Sequence, residues 1–361
     1  MTEHVVVIGA GVYGAAVSAS LARRGARVTV VDAGAPAGGT SGATFSWTNS
    51  CGKEPRHYHD LSVASMAAHR KLAAEFPLGD WYHEGGNLEW ADDDGGRDAL
   101  RAKVAGVLDY GYEAQWLTKA DVLRLEPDMD PAALPADDIA YFPREGWIEP
   151  TRMIAHLLAT TGPELVRDDA VVGLEVTDGL VRAVRLASGR RLATDAVVNC
   201  AGPQAAQIAE FAGLTLPMRN RRGVLLYTSP VAVSVSRVVH APRVHLRPDG
   251  GGRLLLHSED SDSAAGASGA DQSAVDLVLA AGCALYPGMG AGTVESVRVG
   301  ERPIPGDGLP VLGRVLALPN FHFAVSHSGA TLSVHAGDLV AAEALGEDQN
   351  DILAAFRYER F

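Results

Sequence analysis

Gly9, Gly11 and Gly14 stand in the spacing G-x-G-x-x-G, and Asp32 follows eighteen residues after the last of them. Such a set can hold a dinucleotide. The first glycine allows a tight turn, the second lets the backbone approach a pyrophosphate, and the third lets helix and strand pack closely. The acid then meets a ribose hydroxyl. This needs a strand before the glycines and a helix after them, because free N–H groups at a helix N-terminus attract phosphate. The stretch "HVVVIGAGVYGAAVSASLARRGARVTVVD" supplies both: an apolar strand at Val5 to Ile8, a helical period over Ala15 to Arg24, and a second strand at Val28 to Val31. The fingerprint alone leaves FAD and NAD both open.

The composition narrows the class. A chain of 361 residues can build two domains or one elaborated one. The net charge of −13 argues against a nucleic-acid binder. No apolar run approaches membrane-spanning length. The first strand begins at Val5, leaving no room ahead of it for a targeting peptide, so a cytoplasmic protein is expected. Cys51, Cys200 and Cys283 are odd in number and widely spaced, and the twelve histidines show no ligand spacing, so no metal is expected.

Further along, Tyr58 to Phe76, Arg97 to Tyr110 and Val275 to Tyr286 carry helical periodicity, and Thr118 with Asp121 opens a short helix. Another helix is expected to be capped near Thr151. The segment from Ala170 to Ala193 alternates through turns at Asp178-Gly179 and Ser188-Gly189, as a β-meander does. Ala196 to Cys200 is wholly apolar and suits the middle of a parallel sheet. "SEDSDSAAGASGADQS" reads as a mobile loop. The small-residue stretch after Asp32 reads, on composition, as a surface loop, and Lys53 as a solvated surface residue.

The fingerprint with Asp32, "GGTSGAT", "DAVVNCAGP", "ERPIPGDGLPVLG", "SHSGATLSVHAGDLVAAEAL" and the closing "FRYERF" together resemble the D-amino acid oxidase superfamily of FAD-dependent oxidoreductases. Its glycine oxidase and small D-amino acid dehydrogenase branches look nearest. The resemblance implies an α/β fold in which a Rossmann-like FAD-binding domain, a parallel sheet plus the β-meander, interleaves with an antiparallel substrate domain. The expected division is 1–80, 145–215 and 298–361 for FAD, and 81–144 and 216–297 for substrate. It decides the cofactor for FAD, held without a covalent bond because no cysteine precedes "VGERPIPGDG" closely.

The implied flavin set is Gly9, Gly11, Val12, Tyr13, Gly14, Asp32, Ala33, Thr40, Ser41, Thr44, Trp47, Val171, Ala201 and Gly202. It closes with Ser328, Gly329, Ala330, Thr331 and Leu332, whose N–H groups would face the flavin pyrimidine edge. The resemblance also implies that Arg302 grips a substrate carboxylate, since a guanidinium stays charged and binds carboxylates bidentately. His245 falls where relatives carry a substrate-facing tyrosine, and His327 where they carry a polar residue over the ring. The implied reaction is hydride transfer from the α C–H of an amino acid or carboxylate-bearing amine to flavin N5, with oxygen or another acceptor reoxidising the flavin. A tailoring oxidase for a larger amine is the alternative.

Overall fold

The computed structural model describes residues 2–76, 80–259, 262, 271–290 and 292–361. Two large sheets dominate it. The first has six strands in the order Val311–Val315, Leu318–Val325, Ala196–Asn199, His4–Ile8, Arg27–Val31, Glu164–Val166. All neighbours in it run parallel except the first two. Ala196–Asn199 lies between two parallel partners, which explains its unbroken apolar sequence.

This sheet is covered on both faces. Val5 and Val7 on one face pack on Val17 and Leu21 of helix Val12–Arg23 and on Leu332, Ala336 and Val340 of helix Gly329–Ala344. Val6, Ile8, Phe321 and Phe323 on the other face meet Val181, Val184 and Leu186 of the meander. The meander itself is a three-stranded antiparallel sheet of Val171–Thr177, Leu180–Leu186 and Arg191–Ala193. Three layers result, with the glycine turn at the carboxyl ends of the parallel strands.

The second sheet has eight strands in the order Val294–Arg302, Arg221–Thr228, Leu254–His257, Val244–Pro248, Val238–Ala241, Asn87–Glu89, Ile139–Phe142, Gln115–Leu117. Alternation along its strands gives one apolar face. Leu88, Val239, Leu246, Leu256 and Leu226 turn toward helix Gln272–Leu285, burying against Val275, Val278 and Leu285. Their neighbours Glu89, His240, His245 and His257 therefore point the other way.

Some local expectations shift. The helices read at 58–76, 97–110 and 275–286 run over Arg56–Ala74, Asp94–Asp109 and Gln272–Leu285. Thr118 and Asp121 form a reciprocal capping box on Lys119–Leu125. Thr151 is not a cap: Pro150 takes the first helical position of Pro150–Thr161, where its missing N–H costs nothing, and Glu149 precedes it. Most of the stretch read as a mobile loop, 260–261 and 263–270, lies outside the described residues. No helix among the described residues is long and apolar enough to cross a membrane.

Candidate active site

A cleft opens where the first strand hands over to the first helix. It is lined by Gly9, Gly11, Val12, Tyr13, Asp32, Ala33, Thr40, Ser41, Thr44, Val171, Ala201, Gly202, His327, Gly329 and Ala330, among others. The three fingerprint glycines do separate work. Gly9 has φ +104°, and a Cβ there would fall 2.4 Å from the Cys200 carbonyl oxygen. A Cβ on Gly14 would fall 1.8 Å from the Gly9 carbonyl oxygen, so Gly14 serves helix-on-strand packing and does not line the cleft. A Cβ on Gly11 would instead enter the cleft, 2.9 Å from Ser41 Oγ. That leaves a backbone surface a pyrophosphate can approach, at the start of a twelve-residue helix with no acidic residue in its first turn.

Asp32 is set rigidly. Its carboxylate accepts the N–H of Ala10 at 2.7 Å and that of Gly34 at 2.8 Å, so it braces the glycine turn while lining the cleft. Ser41 Oγ accepts the Val12 N–H at 3.1 Å. The stretch after Asp32 is thus folded against the turn, and the surface-loop reading of its composition does not hold.

A second cavity continues from the first, since Thr40, Thr44, Pro303, His327 and Ala330 line both. Its floor is the polar face of the eight-stranded sheet. Glu89, His240, His245 and His257 stand on four adjacent strands in register, Glu89 opposite His240, His240 opposite His245, and His245 opposite His257. The rings touch edge to face, with centroids 4.5 Å apart for His240 and His245 and 5.2 Å for His245 and His257. Trp47 and Phe45 close the row from above, Trp47 4.2 Å from His240.

These imidazoles are held neutral. Burial first, then the neighbouring His257, lowers His245 to about 3. Burial and then the Arg302 charge lower His257 to about 4, and burial takes His240 well below its ordinary value. His327 is open to both cavities yet surrounded by protein, and desolvation followed by the charges of Lys53, Arg302 and Arg221 lowers it to about 4.

Arg302 ends the strand Val294–Arg302 and lines this chamber, with Nη2 3.4 Å from His257 Nε2. Its guanidinium carries an internal carboxylate: Asp262 Oδ2 lies 2.7 Å from Nη2, and the Asp262 side chain is only 6% exposed. Gly223 makes room for the guanidinium, since a Cβ there would lie 2.6 Å from Nη2.

The closing helix Gly329–Ala344 starts at the junction, with Ser328 as its N-cap. The N–H groups of Thr331 and Leu332 are engaged by the Ser328 carbonyl, at 3.0 and 2.9 Å, and Gly329 and Ala330 line the cofactor cleft. Leu332 is wholly buried in the core beneath the parallel sheet and lines neither cavity. Thr331 does line the chamber, and its Oγ1 accepts the Asn49 N–H at 3.2 Å. Tyr13 donates or accepts at Ser326 Oγ, 2.8 Å away, and packs under Gly329.

Three residues matter here that the sequence did not single out for it. Lys53 is half-buried, not a solvated surface residue: Nζ donates to Ser328 Oγ at 2.9 Å and lines the chamber. Glu145 is wholly buried and accepts the Trp47 indole N–H at 3.0 Å and the N–H groups of Ser50 and Cys51 at 3.1 and 2.9 Å. Burial outweighs these bonds and pushes its carboxyl up to about 7. Arg247, also buried, donates to the Phe45 carbonyl at 2.6 Å and Ser46 Oγ at 3.0 Å, holding Ser46 at φ +54°. Each acts over about a hundred residues or more of sequence, and only an unusual buried charge could have signalled it.

The cleft fits a dinucleotide through Gly11, Asp32 and the helix start, and the chamber beyond it fits a ring system with a substrate beside it. Comparisons with known proteins agree. Glycine oxidase of Bacillus licheniformis is 25% identical over 98% of this chain and 96% of its own. The hydrogen cyanide synthase subunit HcnC of Pseudomonas aeruginosa is 25% identical over 98% and 96%. The crystal structure of glycine oxidase from Geobacillus kaustophilus superposes over all of both chains with a TM-score of 0.87 at 25% identity. The model of the DAO family, FAD dependent oxidoreductase, matches residues 4–343, nearly the whole chain, and the protein is therefore a member of that family.

Proposed function

We propose that this FAD-dependent oxidoreductase oxidises the C–N bond of an amino acid or related amine bearing a carboxylate, giving an imine. The bound FAD would supply the hydride acceptor for the substrate α C–H. The chain's own residues position the substrate. Arg302 holds its carboxylate by a charge-assisted pair, which fixes the α-carbon at the junction of the two cavities. His245 and His327 face the same space as neutral imidazoles, able to receive a hydrogen bond from the substrate amine at a ring nitrogen. The helix start at Gly329 and Ala330 offers N–H groups where negative charge gathers on reduction. In this reading the six-stranded half carries the cofactor and the eight-stranded sheet the substrate.

The observation that supports the proposal is a guanidinium in the chamber lining, Arg302, whose Nη2 already pairs with a carboxylate, that of Asp262, beside the cofactor cleft. The test is the visible spectrum under anaerobic conditions with glycine, sarcosine, D- and L-amino acids and cyclic imino acids. One or more should bleach the flavin, and Arg302→Met should raise the apparent Kd about a hundredfold. An unchanged Kd in that variant would remove Arg302 from substrate binding.

A further inference from the structure

Lys53 is a cation set where the fold already gathers positive charge. Its Nζ donates to Ser328 Oγ at 2.9 Å, and Ser328 is the N-cap of helix Gly329–Ala344. A sixteen-residue helix presents partial positive charge at that end, and its first turn carries no acidic residue to offset it. The helix therefore disfavours an ammonium at this place, in a protein whose net charge is −13. Local rules of this kind are broken mainly at functional sites.

The other two cations that line the chamber are paired. Arg302 meets Asp262 at 2.7 Å and Lys103 meets Glu89 at 2.6 Å. Among the described residues Lys53 has no carboxylate within 4 Å; besides Ser328 Oγ, its Nζ lies 5.4 Å from the centre of the Tyr58 ring. An ammonium has three N–H donors, of which the hydroxyl takes one and the ring face at most one more. That leaves a donor for an anion in the chamber that Lys53 lines. His327 registers the same imbalance. After burial, the charges that act on its ring are those of Lys53, Arg302 and Arg221, all positive.

We propose that Lys53 receives a second carboxylate of the substrate, which is an acidic amino acid or an imino diacid with its α-carboxylate on Arg302 and its distal carboxylate on Lys53. The proposal rests on the role of Arg302 given above and adds the substrate's class to it. A compact dianion suits the place: Lys53 and Arg302 line one chamber, and both act on His327, which stands where that chamber joins the cofactor cleft.

The test compares matched acids and amides: aspartate against asparagine, glutamate against glutamine, and iminodiacetate against N-(carbamoylmethyl)glycine, with both enantiomers of the chiral compounds. Apparent Kd is read from anaerobic flavin bleaching. In the wild-type holoenzyme the acid of at least one pair should bind about tenfold tighter or more than its amide. In Lys53→Met that ratio should fall to near one, and in Lys53→Arg, which keeps the charge, it should persist. The ratio is taken within one protein, so a change in overall activity cancels. A cation that served the flavin alone would act alike on both members and leave the wild-type ratio at one.

Wild-type ratios near or below one in all three pairs would overturn the proposal whether or not the variants fold. So would a ratio that survives in Lys53→Met. If neutral amino acids bleach the flavin while the ratios stay at one, Lys53 is no substrate seat and the Arg302 reading stands. If no carboxylate-bearing amine bleaches it, both fail.

Discussion

Replacing Asp262 by asparagine tests whether the internal carboxylate competes with substrate for Arg302. The Asp262 side chain is 6% exposed and Arg302 28%, and their charged atoms meet at 2.7 Å. The burial of Asp262 nevertheless raises its carboxyl above its ordinary value, with Arg302 opposing the rise, so desolvation outweighs the attraction. The Arg302 attraction that opposes this rise, and that a second carboxylate would compete for, is about 1–2 kcal/mol. A substrate carboxylate must displace Asp262 to take the guanidinium, and removing the competitor should tighten carboxylate binding about five- to thirtyfold. Asparagine retains Oδ1, which accepts the Val224 N–H at 2.7 Å, so the local backbone keeps its partner. The assay is titration of a non-oxidisable carboxylate, acetate or benzoate, followed by the flavin difference spectrum. In Asp262→Asn/Arg302→Met the gain should vanish. Unchanged or weaker binding in Asp262→Asn would refute the reasoning, since Asp262 would then be holding Arg302 in place rather than occupying its seat.

Gly11→Ala should fold but lose FAD, because its Cβ projects toward Ser41 Oγ in the cleft and not into the core; normal flavin content after purification would contradict this. Melting temperature should fall as pH drops from about 6.5 to about 4. His69, His257 and His322 are buried and lowered to about 4, so the unfolded chain binds more protons in that window and their contribution, full above 6.5, is lost through 4. Glu145, raised to about 7, has the opposite sign and loses its contribution as pH rises to 7, so a flat profile would mean the imidazoles do not dominate. Acid precipitation should release all the flavin. Burial raises the Cys51 and Cys200 thiols far from reactivity, and Cys283 lines neither cavity, so colour in the pellet would disprove a dissociable cofactor.

How much of this could be read from the chain depends on the sequence distance over which each part is built. The glycine turn, Asp32 and the parallel strands around them are legible locally: the spacing that names them lies within one βαβ unit, although Gly9 and Gly11 meet Cys200 and Ser41 from outside it, and the period of the apolar residues names the elements. The meander and the capping box at Thr118 are legible for the same reason. Thr151 misled because a threonine after proline resembles a cap, while proline at the first helical turn is the stronger determinant.

The chamber is a different case. Along single strands, Leu88-Glu89, Val239-His240, Leu246 beside His245, and Leu256-His257 each show only an apolar residue next to a polar one, the signature of any half-buried sheet. What turns four such residues into a row is register, and register joins positions as far apart as Glu89 and His240 through a parallel pairing that no local pattern announces. The same holds for Lys103, which reaches the row from helix Asp94–Asp109 on the far side of Gly52. His245 could therefore be suspected one residue at a time, whereas its partners could not. A row assembled from four strands and a helix becomes visible only once the sheet that aligns them is built.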